Sequence, residues 1–336
     1  MPSRHAPTPP SSSPDTTRRR LNLALGLAAG GPLWLGSLAA QAAALPPLPR
    51  YTQPVEAHSP LVGRILQSGQ QFIAPQQLVS ECAHAVLCML GEQHDHPDHH
   101  AVQAWIITAL AQRGDLAAVA LEMADAGQRF DGPRDAPEAV VRERLHWNED
   151  GWPWKLYAAP VMVAVRAGVP VVGVNLPQDA MRPAMQQARW DASVPPAVRQ
   201  RILDDVAESH CGLLPASQLP AMARIQFARD DSMAAHSLAL ARPGKTVVLL
   251  TGSFHANRTL GIALHLAAHA AQTPPGVAQP LAVFSLLLQG LAPDTQAELP
   301  AGYDAVWFTP GTPPIDHCAE LRRMMQGEKP SGQPKP

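Results

Sequence analysis

An α/β protein, with a mainly parallel sheet, helices on both faces and a smaller helical subdomain, is predicted by three features of the 336-residue sequence. Six short apolar runs alternate with stretches of helical character. Within each run the apolar residues are continuous rather than interleaved with polar ones. From about residue 178 to 242 no such run occurs. Continuous apolar runs belong to strands covered on both faces, as parallel strands are. With 46% hydrophobic and 16% charged residues the chain can build a large core. A formal net charge of −2 leaves no cationic excess to neutralise a row of phosphates, which argues against a nucleic-acid binder. Four Cys are too few for a disulfide-built scaffold.

Residues 1–42 read as a signal peptide: a Pro- and Ser-rich start, Arg18-Arg19-Arg20, then an apolar Ala/Leu/Gly stretch ending in Ala40-Gln41-Ala42, with small residues where cleavage after Ala42 would need them. The run Thr17 to Leu23 is similar to the twin-arginine export motif. No Cys follows the cleavage point to carry a lipid. Cleavage leaves 22 basic and 27 acidic residues, a net charge of −5. The exported chain, expected in the periplasm, exposes Cys82, Cys88, Cys211 and Cys318 to oxidation. If residues 84–90 are extended, Cys82 and Cys88 are a poor pair, because six residues of strand span roughly 20 Å and a disulfide tolerates under about 7 Å between Cα atoms.

A Pro-rich lead (43–62) precedes the main domain, expected over 63–312. The strands are predicted at 84–90, 116–123, 169–176, 245–254, 281–288 and 303–308, and the helical subdomain at about 178–242. The tail 327–336 is Pro/Gly/Lys-rich and expected to be disordered.

In open parallel sheets ligands bind beyond the carboxyl ends of the strands. The first polar residues there are Gly91-Glu92-Gln93-His94, then Glu122, Asn175, and Gly252-Ser253-Phe254-His255. Two G-x-x-H sequences thus stand at strand ends with carboxylates nearby, although ordinary turn and cap residues would give the same pattern. Four of the 14 His fall within seven residues: His94, His96, His99 and His100. Pro97 suits the first position of the next helix, whose free N–H groups favour anions. This loop suits a metal ion or an iron porphyrin, or is simply a set of solvated His. Trp147, Trp152, Trp154 and Tyr157 form an aromatic cluster that would make a platform for a flat ligand or pin a loop to the core. Phenolate oxygen suits ferric iron, which makes Tyr157 a candidate axial ligand. Arg229, Asp230 and Asp231 lie on a predicted long helix, reaching the pocket or pairing at the surface.

The segments "LGEQHDHPDHH", "ALEM", "WPWKLY", "PVVGVNLP", "HCGLLP", "QFARDDSMA" and "GSFH" resemble, in order over about residues 60–290, the ChaN-like haem-binding family of the Tiki/EreA-like superfamily. The resemblance implies an exported α/β protein of haem or iron acquisition, with haem at the interface of a homodimer and with membrane uptake components as partners. Many relatives are lipoproteins, from which this sequence departs. The implied haem site comprises Tyr157 or His94, His96, His99 or His100 as axial ligand, Trp154 as platform, and Arg182 and Arg229 for the propionates. Hydrolases of the superfamily use the paired G-x-x-H motifs and glutamates, which carries over to Glu92, His94, Glu122 and His255. That set suits a divalent metal with a bound water, or direct acid–base work by Glu92 and His94. A haem-binding protein is the favoured reading, and an exported metal-dependent hydrolase the alternative.

Overall fold

The computed structural model describes residues 44–326; the expected signal peptide and the expected disordered tail lie outside the described residues. All six sequence-predicted strands are present: β3 (Leu87–Glu92), β4 (Leu116–Asp125), β6 (Val171–Asn175), β7 (Thr246–Gly252), β8 (Val283–Gly290) and β9 (Ala305–Thr309). Three short strands complete the sheet, β1 (Ile65–Gln67), β2 (Gln71–Ile73) and β5 (Arg129–Phe130). At two or three residues each, they are too brief to leave a hydrophobic pattern. The nine strands lie in the order β2-β1-β9-β8-β3-β7-β4-β6-β5. The six central ones pair in parallel, and the short edge strands pair antiparallel.

The central strands divide their side chains between two cores with the period of two that a strand imposes. Cys88, Leu90, Val119, Leu121, Val248 and Leu250 face one core, with Trp105, Ile106, Val161 and Val165. Those four come from helices α2 (Pro97–Arg113) and α4 (Trp154–Ala167); α1 (Pro75–His84) joins them, and α3 (Glu138–Arg144) packs beside β5. Leu87, Met89, Val247 and Leu249 face the other core, with Met233, Ala234 and Leu238. The helix α2 starts at Pro97, with His96 as N-cap, and stops at Gly114, whose φ of 78° is the left-handed C-cap that glycine adopts without strain.

Between β6 and β7 the chain is helical: α5 (Gln178–Gln186), α6 (Pro196–Ser209) and α7 (Leu219–Ala239). Phe227 and Ala223, in the first half of α7, close a small core with Ile202 and Val206 of α6. Its second half, with Met233 and Leu238, covers the face of the sheet itself. Three further helices follow: α8 (Ser253–Ala256), α9 (Leu266–His269) and α10 (His317–Met325). Among the described residues, no helix is long and apolar enough to cross a membrane.

Two disulfides form. Cys211 and Cys318, 107 residues apart in sequence, join the turn after α6 to α10, with Cα atoms 5.7 Å apart. Cys82 and Cys88 also pair, at a Cα separation of 5.3 Å, against expectation. Residues 82–84 are the end of α1, and the chain reverses at Ala85-Val86 before β3 starts, so the segment is not extended. The Pro-rich lead is anchored to α2. Thr52 and Gln53 donate backbone N–H bonds of 2.8 and 3.0 Å to Asp98 in its first turn, and Trp105 Nε1 donates to the Pro46 carbonyl.

Candidate functional site

A cleft of about 1190 Å³ opens at the carboxyl ends of β3, β7 and β8. Its floor is polar, and Glu122 is the centre of that floor. Glu122 follows the regular alternation of β4, opposite in face to Leu121, and the register of β4 against β6 then shifts between Leu121 and Asp125. Gly173 of β6 permits it, since a Cβ there would lie 2.3 Å from the Asp125 carbonyl oxygen. The buried carboxylate of Glu122 accepts bonds from Thr251 Oγ1 (2.6 Å) and the Gly252 N–H (2.7 Å) on Oε2, and from Arg229 Nη2 (2.5 Å) on Oε1. Two imidazoles face the same Oε1: His94 Nε2 at 3.8 Å and His255 Nε2 at 3.7 Å. Burial pushes the Glu122 carboxyl up, but the charges of His255, Arg229 and His94 and the Thr251 bond hold it well below the ordinary carboxylate range.

Each imidazole is oriented from behind. His255 on α8 donates from Nδ1 to Asp230 Oδ1 at 2.6 Å, and Asp230 is fully buried on α7. His94 donates from Nδ1 to Glu92 Oε1 at 2.9 Å. Burial opposes a proton on His94, but the Glu122 charge and the bond and charge of Glu92 prevail and raise it to about 9. Glu92, also buried, is drawn down to about 2: its desolvation is outweighed by the charge and hydrogen bond of His100, with those of His94. Its remaining partners are the Tyr157 hydroxyl, which donates to Oε1 at 2.8 Å, and Gln103 Nε2, which donates to Oε2 at 2.5 Å. Close packing holds the arrangement: a Cβ on Gly252 would lie 2.8 Å from His94 Nε2, and one on Gly91 would lie 2.8 Å from Ala256 of α8.

The structure places each of the expected haem residues. Tyr157 is fully buried, its hydroxyl is committed to Glu92, and burial with the Glu92 charge pushes the phenol far above its ordinary value, so it offers no phenolate to a ligand. Of the four clustered His, only His94 opens substantially to the cleft, at 37% exposure of its side chain. His100 is buried, donating from Nε2 to the His94 carbonyl. The rings of His96 and His99 stack 3.8 Å apart inside the fold. There His96 Nε2 donates to the Pro310 carbonyl, and His99 Nδ1 accepts the Gln93 N–H. Burial, chiefly, lowers the pKa of both, His99 well below the ordinary imidazole value. Trp154 is 5% exposed and spends its indole N–H on Glu138; the indole that borders the cleft is Trp152. Arg182 is exposed on α5 and does not border the cleft. Arg229 does, but is tied to Glu122 and to Asn175 Oδ1 (3.1 Å) rather than free for a propionate.

The four groups expected to hold a divalent metal, Glu92, His94, Glu122 and His255, do converge. Their carboxylates are engaged, Glu122 by Thr251, Gly252 and Arg229 and Glu92 by Tyr157 and Gln103, while the Nε2 atoms of His94 and His255 stand 3.8 and 3.7 Å from Glu122 Oε1. Among the described residues, no group of three or more His, Cys, Asp or Glu side chains is arranged to hold a metal ion. The sequence reading gave no role to Thr251, Gln103 or His317, and none to Phe254 or His210 beyond their places in the second G-x-x-H and in the segment HCGLLP.

An open parallel sheet with paired imidazoles and buried carboxylates at the ends of its strands defines the class: an α/β protein with a ligand cleft at the carboxyl edge. The family model for haem-binding uptake proteins of the Tiki superfamily, ChaN, matches residues 78–266, more than half of the chain, and the chain belongs to that family. Among solved structures it is similar to ChaN of Campylobacter jejuni, a structure described as showing cofacial haem binding. The identity is 23% and the TM-score 0.59, over 72% of this chain and 95% of that one. It is also similar to the type III effector HopBA1, at 16% identity and a TM-score of 0.40, over 70% of this chain and 92% of that one. No curated protein sequence matches the chain.

Proposed function

We propose that the chain is an exported haem carrier of the periplasm, taking haem into this cleft as a homodimer and passing it or its iron to a membrane uptake system. The observation that carries the reading is the lining of the cleft. Trp152, Ile202, Val206, Phe254, Leu287 and Leu288 present apolar surface, while imidazoles supply nitrogen donors. A porphyrin asks for that combination, flat apolar walls and a nitrogen ligand for its iron. Family membership and the cofacial haem of the Campylobacter jejuni relative support the same ligand.

The test is hemin titration of the purified chain by absorbance beside size-exclusion chromatography. A saturable Soret shift with a move to dimer is expected; no spectral change overturns the reading. Export is tested by cell fractionation, with Arg18→Lys/Arg19→Lys expected to retain the chain in the cytoplasm.

A second reading is acid–base hydrolysis, favoured by one specific observation: two oriented imidazoles converge on a single Glu122 oxygen. His94 holds a proton to about pH 9 and would supply it to a leaving group, while His255, backed by Asp230, would take one from water. A screen of ester and peptide substrates decides this reading. Turnover abolished by His255→Ala supports it, and turnover unaffected by that change refutes it.

A further inference from the structure

The choice of iron ligands in this chain is narrow. Its three Tyr are all engaged and none borders the cleft. Tyr157 donates to Glu92. Tyr303 donates to the Ser253 carbonyl at 2.8 Å, and Tyr51 accepts the Trp307 indole N–H at 2.9 Å. Burial pushes the Tyr51 phenol up to about 12 and raises that of Tyr303 as well. Among the described residues no Cys is free, and no Met borders the cleft. Imidazole remains.

Five His border the cleft: His94, His99, His210, His255 and His317. The nitrogens of His94 and His255 are held between carboxylates, and His99 is buried in its stack. His210 differs from these three. It caps the end of α6, half-buried on the opposite wall, and its Nδ1–H donates to the Val206 carbonyl at 2.8 Å. In the neutral ring this fixes the tautomer and leaves Nε2 as the lone-pair nitrogen. Metal-ligating His side chains are oriented in this way, by a carbonyl behind the ring.

The turn that carries His210 is held by a covalent link. Cys211 adopts a φ of 57° and Gly212 one of 65°, so a non-glycine residue occupies the left-handed region directly after His210. Such a conformation persists only where the surroundings impose it. Here Cys211 is bonded to Cys318 on α10, and the residue before Cys318, His317, borders the same cleft. Two His-Cys dipeptides 107 residues apart are thereby joined at one wall of the site.

We propose that His210 Nε2 is the axial ligand of the iron porphyrin, and that the Cys211–Cys318 disulfide holds this ligand in place and makes haem affinity dependent on the oxidised state. The assignment rests on the haem reading above.

Hemin is titrated, under non-reducing conditions, into the full chain and into His210→Ala, His210→Tyr, His94→Ala and Cys318→Ser. Absorbance and magnetic circular dichroism are followed, and circular dichroism checks folding. The wild-type chain is expected to show an imidazole-ligated ferric spectrum. His210→Ala loses that spectrum with at least about a tenfold fall in affinity, His210→Tyr replaces it with a phenolate-type spectrum, and His94→Ala retains it. Cys318→Ser weakens binding by about tenfold, the scale of a lost orienting group. Hemin bound by the wild type with an unchanged spectrum in both His210 variants overturns the ligand assignment and leaves the haem reading standing. Unchanged affinity in Cys318→Ser overturns the role of the disulfide. A wild type that binds no hemin removes the haem reading, and the assignment with it.

Discussion

A single methyl group added at Gly252 isolates the coupling between His94 and Glu122. The backbone there, with φ −59° and ψ 148°, is ordinary for alanine, so Gly252→Ala carries no conformational penalty. The new Cβ would lie 2.8 Å from His94 Nε2, and ordinary contact begins at 3.4 Å, so the ring must withdraw by about 0.6 Å. If all of that movement lengthens the 3.8 Å separation from Glu122 Oε1, the new distance is about 4.4 Å. At an effective dielectric constant of 20 the attraction weakens by roughly 0.6 kcal/mol, or about 0.4 of a pKa unit. Because the His94 side chain is 37% exposed, solvent screening makes this an upper figure. The assay is an NMR titration of the His94 Cε1–H resonance in both proteins. The midpoint, about 9 in the wild type, is expected to fall by a few tenths in the variant. A midpoint that stays or rises refutes the view that Glu122 holds the proton on His94.

Tyr157→Phe removes a hydrogen bond to a buried carboxylate and should cost about 1.5–3 kcal/mol in urea unfolding while leaving the hemin spectrum unchanged; a changed spectrum restores Tyr157 as a ligand. Glu122→Gln strips the counter-charge from Arg229 and from the two imidazoles, and should lower stability by about 3–5 kcal/mol in a thermal or urea melt, with a loss under about 1 kcal/mol counting against the buried network. Stability should also follow pH in a fixed sense. Glu92, depressed to about 2, stabilises fully above its unfolded value of 4.5 and loses that contribution as pH falls toward 2. His94, raised to about 9, stabilises fully below 6.5 and loses its contribution as pH rises through 9. Urea midpoints should therefore be highest between about pH 4.5 and 6.5, and a midpoint higher at pH 9.5 than at 5.5 contradicts the assignment.

The six central strands of the sheet are legible in the sequence. Six continuous apolar runs became its six parallel strands because a strand buried on both faces must be apolar at every position, a requirement written into consecutive residues. The sequence also located the strand-end residues Glu92, His94, Glu122 and His255, since a parallel sheet presents its carboxyl edge to the ligand wherever each strand stops. The short strands β1, β2 and β5 were not legible, because two or three residues at a sheet edge are specified by their neighbours rather than by their own pattern.

Tertiary structure alone decided what each polar side chain faces. His94 and His100 are six residues apart in one loop and helix start, yet one opens to the cleft and the other is buried against Glu92. Whether Tyr157 meets a ligand or a carboxylate depends on how α4 packs against α2 and over β4 and β6, and no local sequence feature encodes that. The same holds for Cys82 and Cys88, which pair because a helix ends and the chain reverses between them. His210 and His317 border one cleft beside a disulfide whose two Cys are 107 residues apart in the chain. Secondary structure depends on neighbours in the chain and is readable there; a site depends on neighbours in space, which only the folded chain supplies.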